Sequence, residues 1–114
     1  MKDFPQFMKN PANRIDPKTQ YTPGIEGYVF DGADDSQMAF WTISKDTQAA
    51  THSHPYDEYM VVVHGSYTLL INDRETRLEA GDEYAIAKGT VHGGKAVAGT
   101  RTIHFFSDRR CTRS

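Results

Sequence analysis

The sequence predicts an all-β domain, a sandwich or barrel of seven or more strands. Three observations carry this. Short runs of aromatic and β-branched residues recur at roughly 8 to 12 residue spacing, and Gly, Asp and Asn crowd the gaps between them. No amphipathic segment of roughly 10 to 12 residues competes for a helix, apart from a weak one near the N-terminus. At 114 residues the chain fits one domain with a single hydrophobic core.

Residues 1–20, MKDFPQFMKNPANRIDPKTQ, mix Pro5, Pro11 and Pro17 with Asn and Lys and show neither a helical nor a strand period. They predict an extended arm. Phe4, Phe7 and Met8 are too apolar for a solvated leader, so the arm is expected to lie on its own barrel or on a partner subunit. The barrel is expected over 21–108. Its strand-like runs are GIEGYVF, QMAFWTIS, DEYMVVV, SYTLLI, TRLEA, EYAIA and TRTIHFF, each followed by a turn signal such as DGADD, NDRE or GD. In QMAFWTIS, Phe40 and Trp41 alternate faces, so one enters the core and the other lies outside, where a large aromatic predicts a subunit contact. Residues 109–114 read as a solvated tail carrying Arg109, Arg110 and Arg113.

The formal net charge is −2 and the basic residues are otherwise scattered, which gives no field for nucleic acid. No run approaches the roughly 18 apolar residues of a spanning helix, and the first residues lack the apolar stretch of a signal peptide, so the default location is the cytoplasm. Cys111 is the single cysteine, which excludes an intrachain disulfide framework and fits a reducing compartment.

One stretch, THSHPYDEYMVVVHGSY from 51 to 67, carries unusual chemistry. If residues 52–62 are extended, His52, His54, Tyr56, Glu58, Met60 and Val62 share one face, with Pro55 a possible local kink. Met60 and Val62 match an interior, so two imidazoles and a carboxylate lead into it. Burying them together is costly unless they pair or coordinate something, and neutral imidazole with ionised carboxylate is an ordinary donor set for a divalent first-row metal. The alternative is surface histidines beside a salt-bridged glutamate.

A second element lies downstream. Residues 81–92, GDEYAIAKGTVH, bring Gly81, Gly89 and His92. Together the two stretches resemble the cupin superfamily, whose motifs are G-x5-H-x-H-x3-E-x6-G and G-x5-P-x-G-x2-H-x3-N. His52, His54, Glu58 and Gly65 meet every interval of the first, and Gly81, Gly89 and His92 meet those of the second. Asp46, Ala87 and Ala96 stand where the motifs have Gly, Pro and Asn, none of them a ligand position. The likeness covers roughly 37 to 106.

The resemblance implies a double-stranded β-helix, or jelly-roll barrel, with one divalent transition metal (Mn, Fe, Co, Ni, Cu or Zn) held by His52, His54, Glu58 and His92. Three imidazoles and one carboxylate leave one or two positions open on a five- or six-coordinate ion, the arrangement of a catalytic rather than a structural site. It also implies a homodimer and a small organic ligand or substrate. The reaction classes are dioxygenation, isomerisation, decarboxylation or lyase chemistry; a non-catalytic binding or sensory module is the alternative.

Tyr56 and His104 are the candidate proton-moving groups. Tyr56 shares the ligand parity, though a tyrosine on an interior strand is more often packed with its hydroxyl satisfied. His104 in TRTIHFF lies near the pocket if its face is inward; otherwise it is a buried histidine bonded to backbone. Tyr59, of opposite parity, is expected outside or at an interface, His64 exposed, and Arg74 and Arg77 solvated.

Overall fold

The computed structural model describes residues 1–20 and 24–114. Residues 21–23, where the barrel was expected to begin, lie outside the described residues. The described residues form nine strands in chain order: β1 (Ile25–Asp31), β2 (Gln37–Ile43), β3 (Thr47–His52), β4 (Glu58–His64), β5 (Ser66–Ile71), β6 (Arg74–Glu79), β7 (Glu83–Ile86), β8 (His92–Ala96) and β9 (Arg101–Phe106). Every pairing is antiparallel. One sheet has the order β1-β2-β9-β4-β7 and the other β3-β8-β5-β6, the two layers of a jelly-roll barrel. No helix among the described residues is long and apolar enough to cross a membrane.

Alternation along the strands decides what meets inside. Gln37, Ala39, Trp41 and Ile43 of β2, Glu58, Met60 and Val62 of β4, and Thr102, His104 and Phe106 of β9 are all buried. Two apolar clusters result. One joins Val29, Ala39, Trp41 and Phe106 to Ile15 and Cys111; the other joins Met60, Val62, Leu69, Leu78 and Ile86. Each large side chain withdrawn from water in this way contributes about 1.5–3 kcal/mol. The titratable members of the inward set are Glu58 and His104.

The stretch from 52 to 62 is not one strand. β3 ends at His52 in the four-stranded sheet, β4 starts at Glu58 in the five-stranded sheet, and the intervening residues cross between layers with a bend at Pro55 and Tyr56. Pro55 lacks an N–H and cannot continue a ladder. The parity argument therefore holds within β4 and fails across the crossing. β3 and β8 themselves went unpredicted. TQAATH has weak strand character, and HGGKA carries two glycines that normally disfavour strands. Gly94 is needed there because a Cβ would overlap the ring of Tyr67 on β5.

Gly65 turns β4 into β5 with φ +79°, and a side chain there would meet Thr100. Among the described residues the non-glycine positions with positive φ are Asp35, Asn72 and Asp73, so Asp46 and Ala87 stand at motif positions without that strain.

The arm is not extended. It folds as three short 3₁₀ helices, Gln6–Lys9, Pro11–Asn13 and Pro17–Thr19, the last two begun by prolines and capped by the side chains of Asn10 and Asp16. It packs on its own sheet. Phe4, 4% exposed, sits 5.7 Å from Phe40 between ring centroids, and Phe30 closes on Phe40 at 5.6 Å. Trp41 is the one that points inward, and the outer aromatic Phe40 is covered by the chain itself, which removes it as a subunit contact.

The tail corrects a second expectation. Cys111 is buried and Ile15 bridges to Arg113. Arg113 donates to Asp31 at 2.8 Å and to the Val29 carbonyl at 3.0 Å. Buried Gln37 accepts from the backbone N–H groups of Arg110 and Cys111, both at 2.7 Å. Only Arg109 of the three arginines is exposed. Segment polarity misled because an arginine that satisfies a buried carbonyl reads, in sequence, like a solvated one.

Candidate metal centre

Two sheets and one loop deliver the polar cluster. His52 closes β3 and pairs across the sheet with His92, the first residue of β8. His54 lies in the crossing segment, and Glu58 opens β4 on the opposite layer. The ligand atoms of His52, His54 and His92 all lie within 4.8 Å of one another. Glu58 Oε1 stands 3.4 Å from His54 Nε2 and 3.5 Å from His92 Nε2. His54, Glu58 and His92 are buried, and His52 is half-buried.

Each imidazole is oriented from behind. Nδ1 of His52 donates to the Ala50 carbonyl at 2.6 Å and Nδ1 of His92 to the Thr90 carbonyl at 2.8 Å. A carbonyl can only accept, so these bonds fix the protonated nitrogen and turn Nε2 inward. Nδ1 of His54 shares a hydrogen bond with the Tyr56 hydroxyl at 3.1 Å, and the two rings stack at 4.8 Å with 10° between planes.

Electrostatics favour an ionised acid at this point. Burial alone would raise the Glu58 carboxyl, but the His104 hydrogen bond and the adjacent His54 and His92 imidazoles outweigh it and hold the group well below its ordinary value. Burial pushes His52 down. His92 is raised: burial works against its charged form, and the Glu58 carboxylate with the Thr90 carbonyl more than compensates.

Fully buried Glu58 Oε1 has no hydrogen-bond partner among the described residues. A buried carboxylate oxygen left so is costly, and a cation is the simplest partner for it. The donor set, three imidazoles and one carboxylate oxygen, fits a divalent first-row metal.

His52, Glu58 and His92 line one side of a cavity of about 60 Å³, space on the scale of a few water molecules, and His54 stands outside its lining. Met60, Leu69 and Ile86 make its apolar wall, and half-buried Gln20 and Arg110 also line it. Arg110 lies over the Phe106 ring, 5.3 Å from its centroid, and donates to Gln20 Oε1 at 2.7 Å.

The structure thus brings together His52, His54, Glu58 and His92. His104 also lines the cavity, donating from Nδ1 to Glu58 Oε2 at 2.8 Å. Tyr56 lies behind His54 and is not part of the lining. His64 is half-buried rather than exposed, donating to the Gly99 carbonyl, and Tyr59 is exposed and bonds to Glu83. Sequence reasoning missed Arg110, because nothing in SDRRCTRS signals that Gln37 pins its backbone over the cavity.

A family model for the cupin domain matches residues 39–107. No curated protein matches the chain. Among solved structures, KdgF from Halomonas sp. superposes with a TM-score of 0.71 at 26% identity, over 77% of this chain and 82% of that one. An RmlC-like cupin from Shewanella frigidimarina gives 0.67 at 18% identity, over 75% and 78%. A salicylate 1,2-dioxygenase from Pseudaminobacter salicylatoxidans gives 0.69 at 18% identity, over 75% of this chain but 26% of that larger one. The last two likenesses are of fold alone.

Proposed function

The chain belongs to the cupin-domain family, and from that premise we propose that it is a metal-dependent enzyme acting on a small organic anion. The observation that carries this reading is the convergence of His52, His54 and His92, with the buried Oε1 of Glu58 within 3.5 Å of the last two. A bound divalent ion (Mn, Fe, Co, Ni, Cu or Zn) would supply Lewis acidity, and a redox-active ion would add oxidative chemistry.

The remaining roles fall to the chain's own side chains. Arg110 is the cationic side chain of the lining, and a guanidinium held over an aromatic face and by Gln20 is pre-set to take a carboxylate. A substrate bearing a carboxylate beside a carbonyl or hydroxyl would reach both Arg110 and the centre, fixed at two points. Met60, Leu69 and Ile86 keep water from its other side and limit its size. Tyr56 holds the ring plane of His54 by stacking and by the shared hydrogen bond. His104 is the imidazole nearest the acid of the centre. Within these constraints the reaction is a dioxygenation, an isomerisation or a lyase step.

The test is turnover. Protein reconstituted in turn with each of the six metals is incubated with small 2-oxo and 2-hydroxy carboxylates, and the mixture is followed by NMR. Consumption under at least one metal supports the enzyme; tight binding without consumption under every metal makes the chain a binding module instead.

A further inference from the structure

We infer that His104 holds the Glu58 carboxylate in a one-oxygen mode, reserving Oε1 for the metal and leaving one more coordination position for substrate than an unrestrained glutamate would leave. The inference rests on the metal-centre reading above and deepens it.

The two carboxylate oxygens have different surroundings. Oε2 accepts from His104 Nδ1 at 2.8 Å. Oε1 has no hydrogen-bond partner among the described residues and lies 3.4 and 3.5 Å from the Nε2 atoms of His54 and His92. The donor itself is clamped. Nε2 of His104 accepts from the Thr102 hydroxyl at 3.0 Å, and the ring stacks on Phe106 at 5.9 Å with 21° between planes. Thr102 and Phe106 are each 1% exposed.

The sheet explains the placement. β4 and β9 pair so that Met60 faces His104 and Glu58 faces Phe106. His104 is therefore the diagonal neighbour of Glu58 on the inward face, within reach of a long side chain. Thr102, two residues earlier on the same face, meets the far nitrogen.

Glutamate binds metals through one oxygen or two. A carboxylate rotating toward two-oxygen binding would have to give up the buried His104 bond and strand the imidazole N–H, which costs free energy. One-oxygen binding keeps both. Three imidazoles and one oxygen make four protein donors; a second oxygen would make five and take a position that a chelating substrate needs.

His104 is thus a positioning residue, and cobalt substitution tests it. The wild type, His104→Phe and His104→Asn are loaded with Co(II); visible spectra, metal affinity by competition and binding of oxalate as a chelating probe are compared. Expected for His104→Phe are a weaker, shifted visible band of higher coordination, metal affinity reduced about tenfold or more, and oxalate binding reduced at least about tenfold. His104→Asn, which restores an N–H near the Nδ1 position, recovers most of each. Thr102→Val, a milder loosening of the clamp that covers poor folding of His104→Phe, shifts the band in the same direction. Spectra and oxalate affinities of His104→Phe or Thr102→Val matching wild type overturn the inference while leaving the metal centre intact. Failure of wild type to bind Co(II) overturns both.

Discussion

Glu58 and His104 meet at 2.8 Å on neighbouring strands of one sheet, although 46 residues separate them in the chain. The contact ties the only acid of the centre to the barrel wall. What the other side of that carboxylate faces, His92 from the opposite sheet and His54 from the crossing loop with His52 beside them, is the basis of the functional reading.

Anion recognition rests on Arg110. Arg110→Met removes a charge-assisted hydrogen bond worth about 1.5–3 kcal/mol, so binding of a small 2-oxo carboxylate weakens about tenfold to a hundredfold. The uncharged amide of the same compound binds equally to both proteins, and metal content does not change. Calorimetry on the metal-loaded forms measures this; equal carboxylate affinity in the two proteins refutes the role.

Covering of Phe40 by Phe4 makes the arm part of the fold. Phe4→Ala removes a nearly fully buried ring from that contact and destabilises the protein by about 3 kcal/mol. The denaturation midpoint reports it. A change below about 0.5 kcal/mol would mean that the arm is ornamental.

The C-terminal segment is latched by Arg113. Cys111 is 7% exposed and its thiol is pushed up to about 11 by burial, so it reacts slowly with thiol reagents at neutral pH. Arg113→Ala breaks the bonds to Asp31 and Val29. At about 1.5 kcal/mol lost, the open population and the labelling rate rise about tenfold. Unchanged labelling would show that the latch lies elsewhere.

Acid acts on the same latch. The Gln37 side-chain hydrogen bond, followed by Arg113, holds Asp31 below the ordinary carboxyl value of 3.8. A carboxyl lowered in the folded state contributes stability above its unfolded value, and that contribution is lost as pH falls through the folded value. The stability gap between wild type and Asp31→Asn is therefore constant from neutral pH down to about 4 and closes below it. Because Asp31 is partly exposed, the gap is small, under about 1 kcal/mol. A gap that stays constant into strong acid contradicts the assignment.

Much of this was legible in the sequence, and the rest was hidden for identifiable reasons. Alternation in DEYMVVV placed Glu58, Met60 and Val62 inward, and the resemblance to the two cupin motifs implied the convergence of His52, His54 and His92. The route was misread: Pro55 breaks what parity treated as one strand, so the imidazoles and the acid come from different layers. β8 was missed because Gly93 and Gly94 look like a turn until Tyr67 is seen against them. Arg110 and Cys111 were read as solvated because their anchor, Gln37, is 74 residues from Cys111 in sequence. Single-sequence patterns register period and local chemistry; they do not register a distant amide that pins a polar tail.

The central claim is that His52, His54, Glu58 and His92 hold one metal ion. Metal content per chain, measured by elemental analysis on protein purified without an affinity tag, tests it most directly. The account predicts close to one divalent transition metal per wild-type chain and its loss in His52→Ala and in His92→Ala. Full metal retention by both variants, or wild-type protein that takes up no metal when offered each of the six ions, would contradict it.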